Sequence, residues 1–152
     1  MRRLLVVLRL ALAVVFLYAA YTKLRQPWLL FAMSIDAYQL LPEWAALALG
    51  RTLPWAELLL GLLLATGFGL RYSAAGASLM LGGFLVVMLR TYAIGLKIDC
   101  ACFGLGEPIS TRTLLRDGVL LALSVAVTLL ALRQERTQAD PQRPHLRPAV
   151  LQ

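Results

Sequence analysis

A chain of 152 residues that is 60% hydrophobic and only 15% charged, with a mean hydropathy of +0.74, carries more apolar side chain than a soluble domain, which is about 45–50% apolar. The excess points to membrane spans, each needing about 20 mostly apolar residues. The net charge of +7 lies at the ends of apolar stretches and in the C-terminal tail, as membrane topology signals do, and argues against a nucleic-acid partner, which would need a basic patch. Two cysteines and one histidine exclude a self-contained four-ligand zinc site or a four-cysteine cluster, and leave one disulfide or one dithiol.

Four apolar stretches follow in chain order: Leu4 to Tyr21, Leu53 to Leu70, Tyr72 to Thr91 and Thr113 to Leu132. Backbone polar groups in lipid must be satisfied within the segment, so these are predicted to be helices. The expected fold is an all-α membrane protein, a four-transmembrane-helix bundle spanning residues 1–132. The opening Met1-Arg2-Arg3 resembles a signal peptide, but Leu17 and Tyr18 stand where a small residue would be needed before Ala19 or Ala20, so a retained first span is expected.

Between spans one and two, the piece from Trp28 to Leu41 is too short and too polar to cross, and reads as a short interfacial helix lying on the membrane or folded back on the bundle. Trp44 to Gly50 either extends span two, with Pro54 as a kink, or precedes a fresh helix with Pro54 in its first turn. Small residues recur every fourth position at Gly61, Ala65 and Gly69 and at Ala74, Ser78 and Gly82, a pattern that lets membrane helices approach closely. From Arg133 the chain carries arginines and Pro141, Pro144 and Pro148 without apolar period, so 133–152 is expected to be a flexible polar tail.

Four spans put both termini on one side. Basic residues divide evenly between the two sides, which weakens the positive-inside rule, but Arg2 and Arg3 precede the first span, the one that usually dominates orientation. Both termini are therefore predicted in the cytoplasm, as in a bacterial inner-membrane multi-pass protein, with the third loop periplasmic. Trp28, Trp44 and Trp55 then fall on the outer side, as an interface belt would.

The third loop contains Asp99-Cys100-Ala101-Cys102-Phe103-Gly104. Residues two apart in extended backbone are roughly 6–7 Å apart between Cα atoms, and disulfides prefer about 5.5–6 Å. A Cys100–Cys102 bridge therefore needs a bent backbone and carries strain, which makes a disulfide labile and oxidising. Loop-closure stabilisation grows with loop length, so a bridge around one residue gains little as a structural staple. Redox function is the favoured reading, ahead of a structural bridge. A metal site would need further ligands.

Lys23, Glu57, Arg90, Arg116 and Asp117 are the second signal: all five fall in the outer half of the bundle, at the level of the cysteines. Charges within a membrane are costly and normally pair or serve function. Glu57 is expected to pair with Lys23 or Arg116. A nearby cation would favour a thiolate and Asp99 would oppose it.

Four segments resemble the DoxX-like and MauE-type membrane proteins: Phe16-Leu17-Tyr18-Ala19-Ala20-Tyr21-Thr22-Lys23-Leu24, Leu53-Pro54-Trp55-Ala56-Glu57-Leu58-Leu59-Leu60-Gly61, the Asp99-Cys100-Ala101-Cys102-Phe103-Gly104 loop, and Thr113-Leu114-Leu115-Arg116-Asp117. Ala101 stands where a glycine is common. The resemblance implies a membrane protein that handles disulfides outside the cytoplasm. It also implies a link to maturation of the disulfide-rich small subunit of methylamine dehydrogenase, and a periplasmic thioredoxin-like protein or disulfide-containing client as partner beside the lipid bilayer. DoxX relatives add a quinone as a cofactor to consider. The leading reading is a thiol–disulfide relay, hence an oxidoreductase, with Cys100 facing the partner and Cys102 resolving. Its competitors are a non-catalytic assembly or docking subunit and a DoxX-like quinone-linked subunit. A solute carrier is disfavoured by four short spans without a second repeat.

Overall fold

The computed structural model describes residues 2–96, 98 and 108–139. They form five helices and, among the described residues, no β-strand: α1 (Arg2–Leu24), α2 (Trp28–Asp36), α3 (Glu43–Thr66), α4 (Leu70–Ile94) and α5 (Thr111–Ala139). α1, α3, α4 and α5 are each long and apolar enough to cross a membrane. The protein is an all-α membrane protein with the short helix α2 between its first two spans.

The second span is where the sequence expectation changes most. α3 begins at Glu43, with Pro42 in extended conformation ahead of it, and runs unbroken through a buried Pro54 to Thr66. Pro54 removes the backbone bond to the carbonyl of Gly50, four residues earlier, at the point where α2 lies against α3. Of the residues expected to end the second span, 67–69 instead make the turn and Leu70 opens α4. Gly67 takes φ +78° and its N–H closes α3 on the carbonyl of Leu63 at 2.8 Å, a left-handed cap that glycine adopts without a Cβ penalty. Arg9 of α1 donates to the Ala65 carbonyl at 3.3 Å, placing a cation at the negative end of α3. A Cβ at position 67 would stand 1.9 Å from that guanidinium.

α5 begins with reciprocal capping. The Ser110 N–H donates to Thr113 Oγ1 at 2.9 Å, and the Thr113 N–H donates to Ser110 Oγ at 3.4 Å, satisfying donors that a helix start leaves unpaired. The helix continues past Leu132 to Ala139, so the chain after residue 132 begins helical. Arg133, Gln134, Glu135 and Arg136 are all good helix formers, and polarity alone does not stop a helix.

The helices associate as two intimate pairs, α1 with α3 and α4 with α5, while α2 folds back onto α3. Leu12, Ala13, Phe16, Leu64, Ala74, Ala77 and Val127 meet in the core between them. The small-residue spacing works within the chain. A Cβ on Gly61 would stand 2.9 Å from Leu17 of α1, and one on Gly50 would stand 2.5 Å from the Cβ of Ala32 in α2. On α4, Ser78 bonds Ser124 at 2.8 Å and Thr128 at 3.3 Å across the pair with α5.

α2 buries Phe31 and Ala32 and exposes Trp28, Leu29 and Met33. Trp28 and Trp44 are exposed at the α2 end, as a belt requires. Trp55 is exposed too, but lies eleven residues further along α3, roughly 16 Å deeper by helical rise.

Gly50→Ala is expected to lower stability by about 1–3 kcal/mol through overpacking against Ala32, read as a reduced unfolding temperature in detergent. Gly83→Ala, where nothing lies within 4 Å of an added Cβ, leaves that temperature unchanged. Equal behaviour of the two variants would contradict the close α2–α3 contact.

Candidate functional site

Three of the charged residues singled out in the sequence converge. Lys23 stands in the last turn of α1, Glu57 in the second half of α3 and Asp117 in the second turn of α5. They are 3%, 4% and 3% exposed. α1 docks antiparallel on α3, so the end of one helix meets the body of the other, and the Lys23 Nζ donates to Glu57 Oε1. The ammonium also sits 5.1 Å from the ring centre of Phe31 in α2 and 5.5 Å from that of Phe84 in α4, close enough for cation–π attraction in a desolvated site. Four helices thus supply the surroundings of one lysine.

A cavity of about 30 Å³ adjoins the pair, lined by Lys23, Glu57 and Asp117 together with Phe16, Met80 and Phe84. That volume suffices for a water molecule or a single hydroxyl group. Glu57 Oε2 is buried and has no hydrogen-bond partner among the described residues. By helical rise, Glu57 lies roughly 21 Å inside the start of α3, Phe84 roughly 15 Å below the end of α4 and Asp117 roughly 9 Å inside the start of α5. The cluster is set within the bundle, below the helix ends that carry the α4–α5 connection.

Arg116 is half-buried beside Asp117, with Nε 3.3 Å from Asp117 Oδ1. Of the two partners expected for Glu57, Lys23 is the one that takes it. Arg90 is exposed near the end of α4 and does not line the cavity. Asp99, Cys100 and Cys102 lie outside the described residues. Phe31 and Phe84 were missed by sequence reasoning. An aromatic residue in a uniformly apolar stretch carries no mark of whether it faces lipid or a buried ammonium.

Buried ion pairs must recover a desolvation penalty of several kcal/mol per ion by close geometry, and ionisable groups inside membrane helices mark functional sites more often than not. Fold and site together define a small four-span membrane protein with a charged cluster enclosed between its spans. The sequence profile described as Methylamine utilisation protein MauE matches residues 1–131, and the chain belongs to that family. The Methylamine utilization protein MauE of Paracoccus denitrificans is 31% identical over 123 residues, covering 79% of this chain and 66% of the relative, so the match spans slightly less than two thirds of that protein's length. No solved structure matches the chain.

Removing one partner of the pair leaves a buried charge uncompensated. Lys23→Leu or Glu57→Leu alone is expected to cost about 3–5 kcal/mol, whereas the double variant recovers most of that loss. A double-mutant cycle of unfolding in detergent checks this; strictly additive losses would contradict a coupled buried pair.

Proposed function

We propose that this protein is a membrane thiol–disulfide relay that serves maturation of a disulfide-containing client in methylamine utilisation, with Cys100 and Cys102 as the exchanging pair. The observation that carries the reading is the C-x-C pair in a chain of the MauE family, between α4 and α5 in the sequence. In the oxidising direction, a client thiolate attacks one sulfur of the Cys100–Cys102 disulfide and a mixed disulfide forms. The second client thiolate then displaces the protein sulfur, so the client leaves oxidised and the two protein cysteines leave reduced. The two electrons and two protons gained must pass to a second partner, either a thioredoxin-like protein in its disulfide form or a quinone. In re-oxidation by a disulfide partner, the Cys100 thiolate attacks that disulfide to form the mixed disulfide and Cys102 resolves it, expelling the partner's thiolate and restoring the Cys100–Cys102 bridge.

The reading requires the pair to face an oxidising compartment, since disulfides persist outside the cytoplasm. Arg2 and Arg3 before the first span support cytoplasmic termini in a bacterial inner membrane. That orientation puts the α4–α5 connection in the periplasm. The Lys23–Glu57–Asp117 cluster is a second polar feature, enclosed within the bundle, and has no exchanging role in this scheme.

Cys102→Ser is expected to accumulate a mixed disulfide between Cys100 and its partner, visible as a reducible adduct on non-reducing gels, and Cys100→Ser to accumulate far less. Either substitution abolishes client maturation. A double Cys→Ser variant that matures the client as the wild type does would sink the relay and leave a docking subunit in its place. For orientation, a phosphatase fused after Gln152 is expected to be inactive and one inserted in the α4–α5 connection active; the opposite pattern overturns the topology.

A further inference from the structure

α3 and α4 touch less extensively than the pairs α1–α3 and α4–α5, and toward the α2 end they part around a groove of about 340 Å³. Its walls are apolar: Leu49 and Leu53 come from α3, Gly83 and Val87 from α4, and Tyr38 and Leu41 from the α2–α3 connection. The size falls at the lower end of small-molecule sites. Leu79 on its rim is 79% exposed on the lipid-facing side of a membrane helix, so access is from the bilayer. Met80 and Phe84 line both this groove and the small cavity of Lys23, Glu57 and Asp117. The two spaces therefore adjoin, an apolar slot ending on a polar wall.

That wall has one unmet demand. Glu57 Oε1 takes the Lys23 ammonium, while the buried Oε2 has no hydrogen-bond donor among the described residues. A buried acceptor left without a donor is costly and calls for an occupant. An occupant that enters through the groove comes from lipid, carries its donor on an apolar body, and reaches a level well inside the bundle. A glycerophospholipid, held with its polar group at the interface, does not meet the last condition. The aromatic side chain of Phe84 and the thioether of Met80, both lining the groove, favour an aromatic ring over a plain chain.

We propose that groove and cavity form one binding site for a membrane-dissolved hydroxyarene, a flat apolar ring of the phenol or quinol class. Its hydroxyl donates to Glu57 Oε2 and its ring or tail fills the slot between α3 and α4. The site uses none of the residues of the thiol pair, and stands or falls separately from the relay.

The test uses the full chain in phosphatidylcholine nanodiscs and a diazirine-bearing alkylphenol photoprobe, with labelled peptides identified by mass spectrometry. Saturable labelling is expected in the segments 49–53 and 79–87. 4-Pentylphenol should compete roughly tenfold better than pentylbenzene once both are corrected for partition into lipid, the value of one hydrogen bond to a charged acceptor. Lys23→Leu/Glu57→Leu removes the preference for the phenol. Gly83→Leu, which fills the slot from a position with open space around its Cβ, blocks labelling and does not depend on the ion pair for folding. Equal competition by pentylbenzene, or labelling spread over the lipid-facing surfaces of all helices, would overturn the proposal.

Discussion

A lysine and a glutamate held together inside a bundle of membrane helices constrain everything around them. Neither charge is tolerable alone at that depth, so the helices that carry them have one acceptable register. α1 and α3 run antiparallel, and three contacts mark the same alignment along them. Lys23 meets Glu57, Leu17 lies against Gly61, and Arg9 reaches the Ala65 carbonyl. A shift by one turn would unpair the ions, drive Leu17 onto a larger residue and withdraw the cation from the end of α3. The same lysine lies over Phe31 and Phe84, which ties α2 and α4 to the pair through their ring faces. Where lipid offers little hydrophobic drive for helices to associate, packing and polar contacts set the arrangement.

The second pair uses milder chemistry to the same end. Ser124, fully buried, and Thr128 on α5 meet Ser78 on α4, and each hydroxyl also bonds a carbonyl in its own or its neighbour's helix. The two pairs close through the apolar core around Leu12, Leu64 and Val127. The looser seam, between α3 and α4, is left beside the charged cluster. The rigid pairs hold the polar site, and the loose seam gives it a face toward the bilayer.

Much of this was legible in the residues. Four stretches near the length of a span and rich in apolar side chains have no soluble alternative, and Lys23 and Glu57 stood out because charge is rare in such stretches. The limits of the second span were not legible. Trp44 to Gly50 mixes apolar and polar residues, and Pro54 fits either a first turn or an interior with a missing bond. Nor was the choice between Lys23 and Arg116 for Glu57, because it depends on how deep α1 sits against α3; Arg116 instead lies beside Asp117. Phe84, Met80 and the groove carried no signal at all. In a soluble helix the inward face is marked by polarity on the other side, but in a membrane helix both faces are apolar and the pattern that separates them is erased.

The functional account rests on Cys100 and Cys102 exchanging electrons, and its most direct test is the midpoint potential of that pair. Membranes equilibrated across a thiol–disulfide redox series would be quenched, alkylated and resolved by mass shift. The account predicts a reversible two-electron couple above about −300 mV, in the range of catalytic dithiols. A pair that stays bridged well below that potential, or two thiols that never bridge, would contradict it.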